Sequence, residues 1–199
     1  SEMHHALEVS NMAVLISKEL GKDEKFCDDI AVAGVLHDIG KLRVNRYVYS
    51  DESDDTLVVE QMKYVRMHSA YSRDILRDEN YPENIIEAVY HHHENYDGSG
   101  YPDGLKGTDI PEMSRILRTC DVFSALITNR SYRKAFDKKT AMAIMIDEVE
   151  DYDMEVFLAF QRVFHDDKFP EIRKLQDMAS EIQMENFRVF EKEALNGDY

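Results

Sequence analysis

The sequence predicts an all-α fold, and three observations predict it. Apolar residues recur about every 3.6 residues through most of the chain, as on the buried face of a helix. No stretch sustains the alternation of a half-buried strand. Glycine and proline fall at the ends of the periodic runs, where helices stop and start.

The first run, residues 3–20, places Leu7, Val9, Met12, Ala13, Ile16 and Leu20 on a helical repeat and stops at Gly21. The second, 25–39, is apolar on most sides through Ile30, Ala31, Ala33, Val35, Leu36 and Ile39 and ends at Gly40, the pattern of a central, buried helix. The acidic stretch 42–56 has no assignable pattern. Helical spacing resumes over 57–67, 69–78 and 83–95, and Tyr81–Pro82 before the last suits a helix start. Residues 97–110 are a Gly- and Asp-rich loop, longer than a simple turn and therefore a candidate functional loop. A helix then runs from Pro111 to about Thr128 with Ile116, Leu117, Cys120, Phe123, Leu126 and Ile127 on its inner side. Three more are predicted near 138–149, 152–165 and 170–195. Without a repeat, low-complexity tract or linker, the expectation is one domain over 1–165 with a helical extension over 166–199 packed on it.

A length of 199 residues suits one hydrophobic core. No apolar run approaches the roughly 20 residues that a membrane span needs, and the N-terminus is unlike a signal peptide. Cys27 and Cys120 lie within apolar helical patterns, which fits a reducing cytoplasm and no disulfide framework. A formal charge of −16 excludes general nucleic-acid binding, which Lys and Arg drive by neutralising phosphates. An anionic ligand would need a local cationic site, and bound metal ions supply one.

The eight histidines cluster. His37 and Asp38 interrupt an apolar helix in VLHDIGK, and burying two ionisable groups costs several kcal/mol unless they are paired or metal-bound. His92–His93 repeats the arrangement before the glycine-rich loop, and Asp121 repeats it within ILRTCDVFSALI. The internal run His91–His93 is no purification tag. An expression-tag remnant is the competing reading of His4–His5, and a structural or solvent-facing role that of His91 and His165. Imidazole with carboxylate suits Fe, Mn, Zn or Ni better than Mg or Ca. This many ligands exceeds one tetrahedral zinc. Two ions about 3.5–4 Å apart, the arrangement used for phosphoryl chemistry, would use them.

The segments HDIGK (37–41), His68 in EQMKYVRMH, HHENYDGSGYPDGLKG (92–107), Ile110–Pro111 and RILRTCDVFSALITNRSYR (115–133) together resemble the HD-GYP domains, a branch of the HD metal-dependent phosphohydrolases, over about residues 5–150. The resemblance implies an HD-domain helical bundle with an inserted GYP loop and a C-terminal helix. It implies that His5, His37 and Asp121 bind one divalent transition-metal ion, that His68, His92 and His93 bind a second, and that Asp38 bridges them, with Fe or Mn favoured and Zn or Ni as alternatives. Lys41 would contact the scissile phosphate. Tyr101, Arg130 and Arg133 would hold the other phosphate and base of a cyclic dinucleotide. The implied reaction is hydrolysis of cyclic di-GMP to pGpG or GMP by in-line attack of a metal-bridging hydroxide, with Asp38 and Lys41 the catalytic residues and no protein nucleophile.

Alternatives are a phosphohydrolase for cyclic GMP-AMP or a linear nucleotide, and a binding-only signalling module. The resemblance also allows a homodimer or an attached sensory domain. Four features depart from the family pattern, one of them Ser1, with Glu2 beside it, where some members place a glutamate that holds a third metal. Ser124 replaces the second aspartate of Asp-x-x-Asp-Ala, Glu8 replaces a common arginine on what reads as an exposed helix face, and the acidic 42–56 segment lacks the usual proline.

Overall fold

A computed structural model describes residues 2–48, 63, 65–129 and 134–165. Helix α1 (Glu2–Glu19) turns back through Gly21, at φ 72°, into α2 (Glu24–Leu36). Asp23 caps α2 by accepting from the Phe26 amide at 2.8 Å, satisfying a donor left orphaned at the helix start. Val9, Met12, Ala13 and Ile16 of α1 are all at most 1% exposed, the stripe the sequence predicts. The two helices approach closely at Gly34, where a Cβ would stand 2.7 Å from Ser10 Cα.

Helix α2 differs from expectation twice. It buries one face, through Cys27, Ile30, Ala33 and Gly34, while Val32 and Val35 are each 37% exposed. It also ends at Leu36, so His37 to Gly40 form a turn rather than its last residues. A helix α3 (Lys41–Val48) follows directly, where the sequence showed no pattern. Then come α4 (His68–Asp78), α5 (Glu83–Tyr90) and α6 (Glu112–Ile127). Helix α5 stops at Tyr90, five residues short of the predicted end, so His91 to His93 lie in a turn.

Helix α6 is the central element. Ile116, Leu117, Cys120 and Phe123 are fully buried, and α6 packs against α1, α5, α7 (Lys138–Asp147) and α8 (Met154–His165). Phe123 meets Phe160 of α8 edge-to-face at 4.9 Å, a geometry that favours aromatic pairs. Among the described residues there is no strand and no helix long and apolar enough to cross a membrane. Most of the predicted helix at 57–67 and all of 166–199, including the extension, lie outside the described residues.

Candidate metal centre

Two turns and three helices converge on one point. His37 and Asp38 come from the turn after α2, His68 from the first residue of α4, and His92 and His93 from the turn after α5. His5 comes from α1 and Asp121 from α6. Gly40 lets the first turn lie against α4: its amide donates to Ser72 Oγ at 2.8 Å, and Ser72 Oγ donates to the His37 carbonyl at 3.1 Å.

The histidine ring nitrogens are sorted by the backbone. Nδ1 of His37, His68 and His92 lies 2.7, 2.5 and 2.6 Å from the carbonyls of Gly34, Val65 and Val89. A carbonyl only accepts, so each Nδ1 carries a proton, and each ring when neutral aims a bare Nε2 lone pair inward. These lone pairs converge: His68 Nε2 is 3.4 Å from His92 Nε2 and 3.0 Å from His93 Nε2. Asp38 joins them, with Oδ1 3.2 Å from His68 Nε2 and Oδ2 3.3 Å from His37 Nε2. His5 Nε2 is 3.0 Å from Asp121 Oδ1.

This donor set fits cations. The buried atoms His5 Nε2, His37 Nε2 and Asp38 Oδ1 have no aligned hydrogen-bond partner, and facing lone pairs repel unless positive charge lies between them. Donor atoms of Asp38, His68, His92 and His93 lie within 4.8 Å of one another, as do those of His5, His37 and Asp38 and those of His37, His92 and Asp121. Burial disfavours a charge on His37, yet Asp38 and Asp121 outweigh it and raise its pKa to about 8. Burial likewise opposes ionisation of Asp38 and Asp121, but the adjacent imidazoles hold both well below the usual carboxylate range. Burial takes His93 down to about 3 and drives His92 far down. Two carboxylates among mostly neutral imidazoles make an anionic cage.

A cavity of about 290 Å³ opens beside it, lined by Lys41, His68, His93, Tyr101, Arg118 and Asp121 among others. Lys41 Nζ is 2.5 Å from Asp38 Oδ2. Tyr101 stacks on His93 with ring centroids 4.7 Å apart, and the Arg66 guanidinium lies 5.3 Å from its ring centre. All seven expected metal ligands, Lys41 and Tyr101 are therefore brought together, while Arg130 and Arg133 lie outside the described residues. His5 is 8% exposed and lies within the cluster.

Sequence reasoning missed several residues. Arg118, one helical turn before Asp121, supplies a cation to the cavity and is oriented by donating to Asn95 Oδ1 at 2.8 Å; its i, i+3 spacing from Asp121 was the available signal. His91 takes the structural of its two expected roles: it is buried, with Nε2 3.0 Å from Asp103 Oδ2. Glu8 is likewise buried, not on an exposed face, and accepts from Ser124 Oγ at 2.6 Å. Glu94, 1% exposed, accepts from the amides of Asp103, Gly104 and Leu105 at 2.7, 3.1 and 3.1 Å and so ties the glycine-rich loop to the histidine turn. Gly100 permits that closure, because a Cβ there would stand 2.2 Å from the Asn95 nitrogen. Glu94→Ala would strand three amides, and is expected to cost about 2–4 kcal/mol in urea unfolding. An unchanged midpoint would show that the loop is held by other contacts.

The HD domain family profile matches residues 2–156. The chain is 32% identical over 162 residues to 3'3'-cGAMP-specific phosphodiesterase 3 of Vibrio cholerae, covering 81% of this chain and 35% of that protein. It is 34% identical over 139 residues to a cyclic di-GMP phosphodiesterase response regulator of Xanthomonas campestris, covering 69% and 36%. It thus spans about a third of the length of these curated relatives. Among solved structures, Bd1817, an HDG"Y"P protein of Bdellovibrio bacteriovorus, superposes with a TM-score of 0.66 at 20% identity, covering 83% of this chain and 53% of that one. The fold, the clustered His and Asp side chains and these likenesses agree: the chain belongs to the HD domain family.

Proposed function

We propose that this domain is a metal-dependent phosphodiesterase that hydrolyses cyclic di-GMP to pGpG and GMP. The observation that carries the reading is the shared carboxylate. One oxygen of Asp38 faces His68 and the other faces His37, so a single side chain touches both donor groups. Two divalent ions, when bound, supply an activated water and neutralise charge on the phosphate oxygens. His5, His37 and Asp121 would hold one, His68, His92 and His93 the other, and Asp38 both, with Fe or Mn favoured over Zn or Ni.

The chain's own groups do the rest. Lys41 and Arg118 bring positive charge to the cavity wall, where they bind phosphate oxygens; Lys41 also neutralises the departing ribose 3′ oxygen. Tyr101, braced against His93, offers an aromatic face to a base. Arg130 and Arg133 are proposed for the second phosphate. Water oxygen joins phosphorus as the bond from phosphorus to the 3′ oxygen breaks, and the proton ends on that 3′ oxygen.

A second reading, cyclic GMP-AMP as the substrate, draws on the relative from Vibrio cholerae named for it. The test is incubation of purified protein with Mn or with Fe(II) under anaerobic conditions, separately with cyclic di-GMP, 3'3'-cGAMP and cyclic di-AMP, followed by chromatography. Cyclic di-GMP is expected to be consumed fastest, giving pGpG and then GMP. Faster loss of 3'3'-cGAMP would favour the second reading, and intact substrates with metal bound would leave a binding-only module.

A further inference from the structure

His5 is unlike the other histidines around the cavity. His37, His68 and His92 are oriented by backbone carbonyls three residues earlier, whereas His5 sits inside α1, where Ser124 of α6 lies 2.9 Å from its Nδ1. Ser124 Oγ is in turn 2.6 Å from Glu8 Oε2. Ser124 is fully buried, and His5 and Glu8 are each 8% exposed, so water does not readily replace these partners.

The chain of three has a fixed direction. An ionised carboxylate only accepts, so the single hydroxyl proton of Ser124 points at Glu8. The lone pairs left on Ser124 Oγ can only accept, which requires the proton of His5 on Nδ1. His5 Nε2 is then bare and faces Asp121 and Asp38, at 3.0 and 4.0 Å. In the opposite tautomer the Nε2 proton would face Asp121 Oδ1, and Nε2 would be lost to a cation. We propose that Glu8, acting through Ser124, is a positioning residue that locks His5 in the Nδ1–H tautomer and so keeps its Nε2 available as a metal ligand. The metal half of this inference rests on the function proposed above; the tautomer half does not.

Long-range proton–nitrogen correlation spectra of the metal-free protein read the tautomer directly. Wild type is expected to show His5 as Nδ1–H alone. Ser124→Ala, a small change that keeps the helix packing, should shift it to Nε2–H. Glu8→Gln, whose amide can either donate or accept, should give a mixture, and Glu8→Gln with Ser124→Asp should restore Nδ1–H by direct acceptance from a carboxylate. Metal titration should follow, with one of two sites weakened roughly 10–100-fold in Ser124→Ala and recovered in the double variant. A His5 spectrum unchanged in both single variants would overturn the proposal, as would tautomer loss with two metal affinities equal to wild type. If wild type took up no divalent ion while the tautomer still responded, the lock would stand and the metal reading would fail.

Discussion

Asp38→Ala is expected to bring metal content below one ion per chain and to lower kcat for cyclic di-GMP by about 10³-fold or more. The size follows from the geometry. Oδ1 lies 3.2 Å from His68 Nε2, Oδ2 lies 3.3 Å from His37 Nε2, and the same oxygen meets Lys41 Nζ at 2.5 Å. No other side chain in the cluster reaches both donor groups through separate oxygens at these distances. Losing one preorganised charge-stabilising group commonly costs about 10²–10³ in rate, and losing a ligand common to two ions should exceed that.

The fold should survive this change. The hydrophobic core lies apart from this side chain, so circular dichroism should stay that of wild type while metal analysis changes. His91→Ala is the matched control. That ring is buried in the same turn as His92 and His93 but engages Asp103 and Glu87, and its loss should leave metal content intact. Two ions per chain in Asp38→Ala would refute the bridging assignment.

What the sequence made legible was the pattern that chemistry imposes. Helices α1 and α6 were readable because their apolar stripes are long, and the metal cage because ionisable pairs within apolar runs demand a partner. The boundaries at Leu36 and Tyr90 were not readable. Helical periodicity extends through His37–Asp38 and His92–His93, and only tertiary contact breaks it into turns. The turns matter chemically, since they free the carbonyls of Gly34 and Val89 for ring nitrogens. Glu8 and Glu94 were misjudged or passed over for a related reason. A carboxylate reads as surface unless its donors are known, and those, Ser124 and the amides of 103–105, are contributed by other segments. Arg118 was hidden in a helix whose other residues announced themselves as core.

Gly40→Ala is expected to lose stability and metal binding together, although glycine at 40 read in the sequence only as a helix stop. A Cβ at this position would stand 2.0 Å from the His68 carbonyl oxygen and 2.5 Å from the Ser72 amide nitrogen. Both are backbone atoms, so no side-chain rotation relieves the clash, and α4 must move away from the turn. Overpacking of this kind costs about 3 kcal/mol, which corresponds to a fall in Tm of roughly 6–12 °C for a domain of this size. The same displacement would part His68 from Asp38 and break the bonds of Ser72 to the Gly40 amide and the His37 carbonyl. Gly21→Ala separates strain from clash. Gly21 has φ 72°, and a Cβ added there would meet nothing within 4 Å, so alanine should cost about 1 kcal/mol of backbone strain and leave metal affinity at the wild-type value. Calorimetry and metal titration on the two variants decide the matter: a Gly40→Ala protein that melts with wild type, or that melts early yet binds both ions normally, would show that the close approach of the turn to α4 does not build the site.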